Sequence, residues 1–194
     1  MFENIIKNVH NRHPLIHCIT NYVSINDCAN IVLACGGAPI MAEDINEVSQ
    51  ITSICQGLDI NIGMLNDNKL SSMLKAGATA NELGIPVILD PVGAGSSDYR
   101  IKAVQNLMSN VQFGVIRGNV SEIKAIAAKQ GIHNIAAGVY ETMQKNKSAM
   151  GVEAGIADKI TDDNIKEMAD FINKLSQKTG AVSYTHLRAH ETLM

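Results

Sequence analysis

The sequence predicts an α/β protein of three layers, a mostly parallel sheet with helices on both faces. Two observations carry this reading. Strand-like and helix-like segments alternate along most of the 194 residues, and such alternation folds into parallel strands joined by helical crossovers. The run Pro86-Val87-Ile88-Leu89-Asp90 is apolar without alternation, the pattern of a strand covered on both sides.

Residues 2–12 carry Ile5, Ile6 and Val9 at helical spacing. Pro14 breaks that helix, and Leu15 to Ile19 reads as a short buried strand. Ser24 is placed to cap a helix running through Cys28, Ile31, Val32 and Cys35 to a stop at Gly36-Gly37. Ala38-Pro39-Ile40 is extended, Asp44 caps a helix over about 45–55, and 58–62 is strand-like. Asn66 caps a longer helix over 67–83 that ends at Gly84, with Leu70, Met73, Leu74, Gly77 and Ala80 on one face. After the strand 86–90 come a helix over 98–110, a strand at 113–116 and a helix over 120–129. A weak helix over 135–147 and a glycine-containing loop occupy 131–162. Thr161-Asp162-Asp163 caps a helix over 163–178 whose inward residues are Ile165, Met168, Ala169, Ile172 and Leu175.

Gly180 ends that helix and Ala181-Val182 opens a strand. From Ser183 to Met194 no clean period continues it. This stretch resembles a reading-frame translation of a sequencing-library adapter. The expectation is therefore a domain over 1–182, incomplete at its C-terminus, and a non-native tail over 183–194. His186 and His190 are four apart in that tail, but a zinc site needs further ligands and none stands nearby.

Composition narrows the partners. Hydrophobic residues make 46% of the chain, charged residues 18%, and the net charge is −3 with both signs interspersed. That argues against nucleic acid or an anionic membrane as the main partner. Aromatics are only 4% and tryptophan is absent, which leaves little for base stacking. No apolar run reaches membrane-spanning length. The start, Met1-Phe2-Glu3-Asn4, lacks the pattern of a secretory signal. The four cysteines show no knuckle or redox spacing. Cys28 and Cys35, seven apart, share a helix face and read as small core residues in a reducing cytoplasm.

Three constellations can carry chemistry. In Asp90-Pro-Val-Gly-Ala-Gly95 an aspartate ends a buried strand before a glycine-rich turn. Ligands of parallel sheets gather at such strand ends, and glycines let the backbone approach a phosphate; the same residues also make an ordinary tight turn. No Gly-Lys-Ser/Thr follows, and Asp98 stands where a dinucleotide fingerprint needs its third glycine. In Arg117-Gly-Asn-Val-Ser-Glu122, Asn119 and Glu122 share a face at a helix start and can meet one hydrated Mg²⁺. Arg117 beside them suits a phosphate or an adenine ring. The competing reading is a capping box with Glu122 at its third position. In the loop Thr20 to Asp27, Asn21 and Asn26 can read a small polar ligand, unless Ser24 or Asp27 is simply a helix cap. Met41 suits the wall of an apolar pocket or generic packing, and His17 reads as a satisfied core residue.

Taken together, Pro14 to Asn30, Ala38 to Ala42, Asn61-Ile-Gly63, Asp90 to Gly95 and Arg117 to Glu122 resemble the hydroxyethylthiazole kinase family of the ribokinase-like superfamily. The resemblance covers about residues 1–182. It implies a cytoplasmic phosphotransferase that moves the ATP γ-phosphate to the hydroxyl of 4-methyl-5-(2-hydroxyethyl)thiazole in thiamine salvage. It also implies a homotrimer with the thiazole site near a subunit interface. By motif, Asn21, Met41 and Gly63 would contact the thiazole. Arg117, Asn119, Gly93 and Gly95 would serve ATP, and Asp90 and Glu122 would organise Mg²⁺. The family's Gly-x-Gly-Cys segment, whose cysteine activates the hydroxyl, is absent here, and Met64 stands where a small hydroxyl residue is expected. The catalytic residue is therefore unassigned, and this chain is expected to show little turnover; binding of thiazole or nucleotide without turnover is the alternative, as is another small-molecule kinase of the superfamily.

Overall fold

A computed structural model describes residues 2–129 and 165–186. The expected helix and loop of 131–162, and the cap at 161–163, lie outside the described residues. The rest forms two compact units, one from Met1–Leu89 with Ser109–Gln112, the other from the described parts of Asp90–Met108 and Phe113–Met194.

The first unit holds helices α1 (Phe2–Arg12), α2 (Ile25–Ala34), α3 (Val48–Ser53) and α4 (Asp67–Glu82), with strands β1 (Leu15–Ile19), β2 (Ala38–Ile40) and β3 (Gly57–Asn61). Strand β4 (Val87–Asp90) follows α4, and the strands lie in the order β2-β1-β3-β4. Strand β1 pairs parallel with β2 and with β3: Ile16 lies opposite Pro39 on one side and Gly57 on the other. Ile19, Leu58, Ile60, Met73 and Leu89 are fully buried between the layers. Gly77 permits close packing here, because a Cβ on it would lie 2.5 Å from Val111 Cγ2.

The second unit holds α5 (Asp98–Asn110), β5 (Val115–Asn119), α6 (Val120–Lys129), α7 (Ile165–Thr179) and β6 (Val182–His186). Strands β5 and β6 run parallel in register from Val115 opposite Val182 to Asn119 opposite His186. Leu107, Ile116, Ile123, Phe171 and Leu175 form its core.

Several expectations move. The strand read at 113–116 runs instead from Val115 to Asn119, so the Arg117-Gly-Asn segment ends a strand and α6 follows without a loop. Polar residues are tolerated there because Asn119 is hydrogen-bonded and Gly118 has no side chain to bury. The strand expected to stop near Val182 continues to His186: Ser183 is buried and Tyr184 exposed, a two-residue alternation that a short period-2 run conceals. Helix α3 begins at Val48 rather than 45, because Asp44 turns the chain through its side chain onto Asn46 N–H. On α4 the buried face is Lys69, Ser72, Met73, Ala76, Gly77 and Ala80, rotated from the one expected through Leu70 and Leu74. On α7 Phe171 turns inward with Met168 and Leu175, while Ile165 is exposed. Cys18 and Cys55 are buried, but Cys28 is only part-buried and Cys35 exposed, since α2 buries none of its residues. His17 is the satisfied core residue expected, bonded through Nδ1 to Thr52 and through Nε2 to Ala42 O. Burial holds its imidazole below the ordinary value.

Candidate functional site

The second unit carries one polar cluster at its strand ends. Asp90 closes β4, and the turn Pro91 to Gly95 follows with Gly93 at φ +66°, a conformation that glycine adopts without a Cβ penalty. The Gly93 N–H donates to Glu122 Oε1 at 2.9 Å. Glu122 Oε2 accepts from Asn119 N–H at 2.8 Å, and Asn119 Oδ1 accepts from Glu122 N–H at 2.9 Å. The capping-box reading of Asn119 and Glu122 is thus the local geometry. A Cβ on Gly118 would sit 3.2 Å from Glu122 Cβ and 3.3 Å from the Pro91 ring, so glycine lets the glutamate lie over the strand. Gly95 is part-exposed in the same turn.

Arg117 connects to the acid. Its Nη1 meets Asp90 Oδ2 at 3.0 Å, and its Nε donates to the Tyr184 hydroxyl at 3.1 Å. Burial opposes the guanidinium charge, but the Tyr184 bond and the Asp90 carboxylate outweigh it and hold its pKa above the usual value. Glu122 moves up as well: burial is the main cause, only partly offset by its two backbone N–H donors.

Whether these groups suit Mg²⁺ follows from their donors. Among the described residues no three His, Cys, Asp or Glu side chains converge on a cation position. Both Glu122 oxygens already accept main-chain hydrogen bonds, and one Asp90 oxygen faces Arg117. Mg²⁺ keeps several of its waters and binds through one or two carboxylates. These donors do not form an all-protein cage; the carboxylates of Asp90 and Glu122 suit at most a hydrated ion that keeps most of its waters.

The first unit carries a second cluster. Asn21 follows β1, and its Nδ2 reaches Asn61 Oδ1 at 3.4 Å. The same Asn61 Oδ1 accepts from Gly63 N–H at 2.8 Å. Asn21 and Gly63, expected together, are brought together by Asn61. A Cβ on Gly63 would lie 2.9 Å from Asn61 Oδ1 and 3.0 Å from Asn21 Nδ2. Asn21 Oδ1 accepts from both the backbone N–H and the hydroxyl of Ser24 and so fixes the turn that leads into α2; Ser24 holds the cap position without a side-chain capping bond. Asn26 is exposed on α2. Met41, part-exposed, stands one residue beyond β2.

Four residues here had no role assigned from the sequence: Asn61 and Tyr22, which stand inside motifs already noted, and Glu43 and Lys69. The Lys69 ammonium is buried against Glu43 Oε2 at 2.8 Å, donates to Thr20 O, and lies 4.8 Å from the Tyr22 ring centre. The Tyr22 hydroxyl donates to Glu43. Burial would raise the Glu43 carboxyl, but the hydrogen bonds from Lys69 and Tyr22 bring it below the ordinary value. A lone lysine in a helix's first turn gives no sequence signal for such a role.

Parallel strands with glycine, amide and carboxylate groups at their exits define an α/β protein of the kind that binds small ligands at strand ends. The sequence model of the hydroxyethylthiazole kinase family matches residues 6–162. The chain belongs to the hydroxyethylthiazole kinase family. It is 52% identical over 182 residues to a hydroxyethylthiazole kinase of Clostridium acetobutylicum, covering 94% of this chain and 61% of that protein. A hydroxyethylthiazole kinase of Desulfovibrio desulfuricans is 44% identical over 182 residues, with 94% of this chain and 58% of the relative covered. Among solved structures, a hydroxyethylthiazole kinase protein from Pyrococcus horikoshii OT3 superposes with a TM-score of 0.64 at 38% identity, over 73% of this chain and 53% of that one. The ribokinase-like α/β fold expected from the motifs is therefore the fold observed. The chain spans about three fifths of the length of these curated relatives.

Proposed function

We propose that the chain takes part in ATP-dependent phosphorylation of the hydroxyl of 4-methyl-5-(2-hydroxyethyl)thiazole. In this reading the first unit binds the thiazole through Asn21, Met41 and Gly63. The second unit binds ATP through Arg117, Asn119 and the Gly93–Gly95 turn. Asp90 and Glu122 are the carboxylates that would organise hydrated Mg²⁺, which when bound neutralises phosphate charge. The observation that carries the reading is the family match across 6–162, a span that contains every one of these residues.

Each group has a definable task. Arg117, always charged and held in place by Asp90, is a fixed positive charge for a phosphate or a flat face for an adenine. Glu122 holds the Gly93 turn to the start of α6 and so fixes the strand end on which Asp90 stands. Phosphoryl transfer depends on such positioning and on charge neutralisation. In the first unit, the side-chain amides of Asn21 and Asn61 crowd the Gly63 backbone, so the polar groups of this cluster lie within reach of one another.

The reading places the kinase-derived part at 1–182, supported by alignments of 182 residues to two relatives, and treats 183–194 as a tail outside it. It sets the work in the cytoplasm; no helix among the described residues is long and apolar enough to cross a membrane. It includes a homotrimer, supported by apolar residues left uncovered on the first unit: Val23 is 89% exposed, Ile31 63% and Leu33 56%. One second reading is binding without turnover. Calorimetry with the thiazole alcohol and with Mg-ATP, beside an assay for ADP release, separates them. Binding with no ADP supports the second reading, binding with ADP the first, and no binding of either ligand refutes both.

A further inference from the structure

We infer that Lys69 is a positioning residue for the first unit's ligand cluster, its ammonium tying together the loops that carry Asn21 and Met41. The ligand's identity rests on the function proposed above; the tie itself does not.

Lys69 is 3% exposed, yet it ends in a charge. A buried ammonium persists only where its protons find acceptors and its charge a partner. Its backbone is fixed first: the Lys69 N–H takes the Asn66 side-chain cap at 2.8 Å. The Nζ then reaches three groups from two loops. Thr20 O and the Tyr22 ring come from the loop after β1, and Glu43 from the segment after β2. Asn21 lies between Thr20 and Tyr22, and Met41 two residues before Glu43. The Tyr22–Glu43 hydrogen bond closes the ring of contacts between the same two loops. A side chain serving only to fill the α4 face needs no charge, as the buried Ser72, Met73, Ala76 and Ala80 of that face show. The lysine contributes what they cannot, a cation with a carboxylate, a carbonyl and an aromatic face as its partners.

The test is amide hydrogen exchange on the full chain as wild type, Lys69→Met, Lys69→Arg and Glu43→Gln, joined to calorimetry with the thiazole alcohol. In Lys69→Met, exchange is expected to rise about tenfold in segments 20–24 and 41–47, and to stay unchanged in 57–61 and in the second unit. Affinity for the thiazole alcohol is expected to fall about tenfold, and Lys69→Arg to recover much of both. A rise spread evenly over the first unit, no rise, or loosened loops with unchanged affinity overturns the inference. If Lys69→Met does not fold, Glu43→Gln decides: a smaller rise confined to the same two segments supports the tie, and none refutes it. If the wild type binds no thiazole alcohol, the functional reading fails while the exchange data still decide whether Lys69 holds the loops.

Discussion

The two strand-end clusters hold their buried charges in opposite ways. In the second unit a buried anion, Glu122, is held by main-chain N–H groups of Gly93 and Asn119. In the first, a buried cation, Lys69, is held by a carbonyl, a carboxylate and a ring from segments 20 or more residues away in sequence. Main-chain donors cannot be mutated away, so the acid's surroundings depend on one side chain alone. The lysine's surroundings depend on several side chains, each replaceable. The second unit's cluster should therefore fail abruptly at one residue, and the first unit's by degrees.

The sharpest way to break that contrast is Glu122→Ala. It leaves the Gly93 and Asn119 N–H groups without their acceptor in a buried site and removes a helix cap. The combined cost is expected to be about 3 kcal/mol. Urea unfolding should show a lower midpoint with an unchanged slope. A loss below about 0.5 kcal/mol, the size of an ordinary surface change, would mean that the main chain does not depend on this carboxylate.

Next come two glycines, one in each cluster. Gly118→Ala forces a methyl against Glu122 Cβ and the Pro91 ring, neither of which can rotate away. About 1–2 kcal/mol of destabilisation is expected from such overpacking. Gly63→Ala meets the amide ends of Asn61 and Asn21, which can turn. Its cost in thermal unfolding should stay below about 1 kcal/mol, while thiazole binding suffers more than stability does. Equal costs for the two would remove the distinction between a main-chain-built and a side-chain-built site.

The same distinction explains what could be read from the sequence. Asn119 and Glu122 are three apart, so their pairing is a local motif, legible as a capping box or a metal pair before any fold is known. The parallel sheet was equally legible, because unbroken apolar runs such as 86–90 admit few other placements. What the residues alone left open was the balance between cap and ligand, since that depends on Gly93, 29 residues away. Lys69 was not legible at all. Its helix face is set by packing against neighbouring elements, and the buried stripe turned out rotated by one position from Leu70 to Lys69. Likewise Cys28 and Cys35 do share a face, but nothing in the helix itself says that the face is uncovered.

Acidity should act on the two glutamates with opposite sign. Glu122 has a folded pKa above its ordinary value of 4.5, chiefly through burial. The pH-linked part of its contribution to stability is full below 4.5 and is lost as pH rises through the folded value, while its hydrogen bonds to Gly93 and Asn119 remain. For Glu43, burial would raise the pKa, but the hydrogen bonds from Lys69 and Tyr22 place it below 4.5. Its contribution is present above 4.5 and is lost as pH falls through the folded value. Stability curves for Glu122→Gln and Glu43→Gln, each subtracted from wild type across pH 3–7, should slope in opposite directions. The Glu43 effect is the smaller, because that side chain is 40% exposed and partly screened. Slopes of the same sign would show that one of the two carboxyls is not in the surroundings described.

The smallest effect tests how the first unit starts α2. Ser24 occupies the cap position but makes no capping bond; its own N–H and hydroxyl both donate to Asn21 Oδ1. Removing the hydroxyl by Ser24→Ala leaves the N–H bond to Asn21 in place, so the cost should stay within about 0.5 kcal/mol. Asn21→Ala removes the acceptor itself and should cost about 1 kcal/mol, with faster amide exchange at Ser24. Because Asn21 also touches Asn61, that variant should weaken thiazole binding where Ser24→Ala does not. If the order of the two is reversed, the turn before α2 depends on the Ser24 hydroxyl rather than on the Asn21 amide.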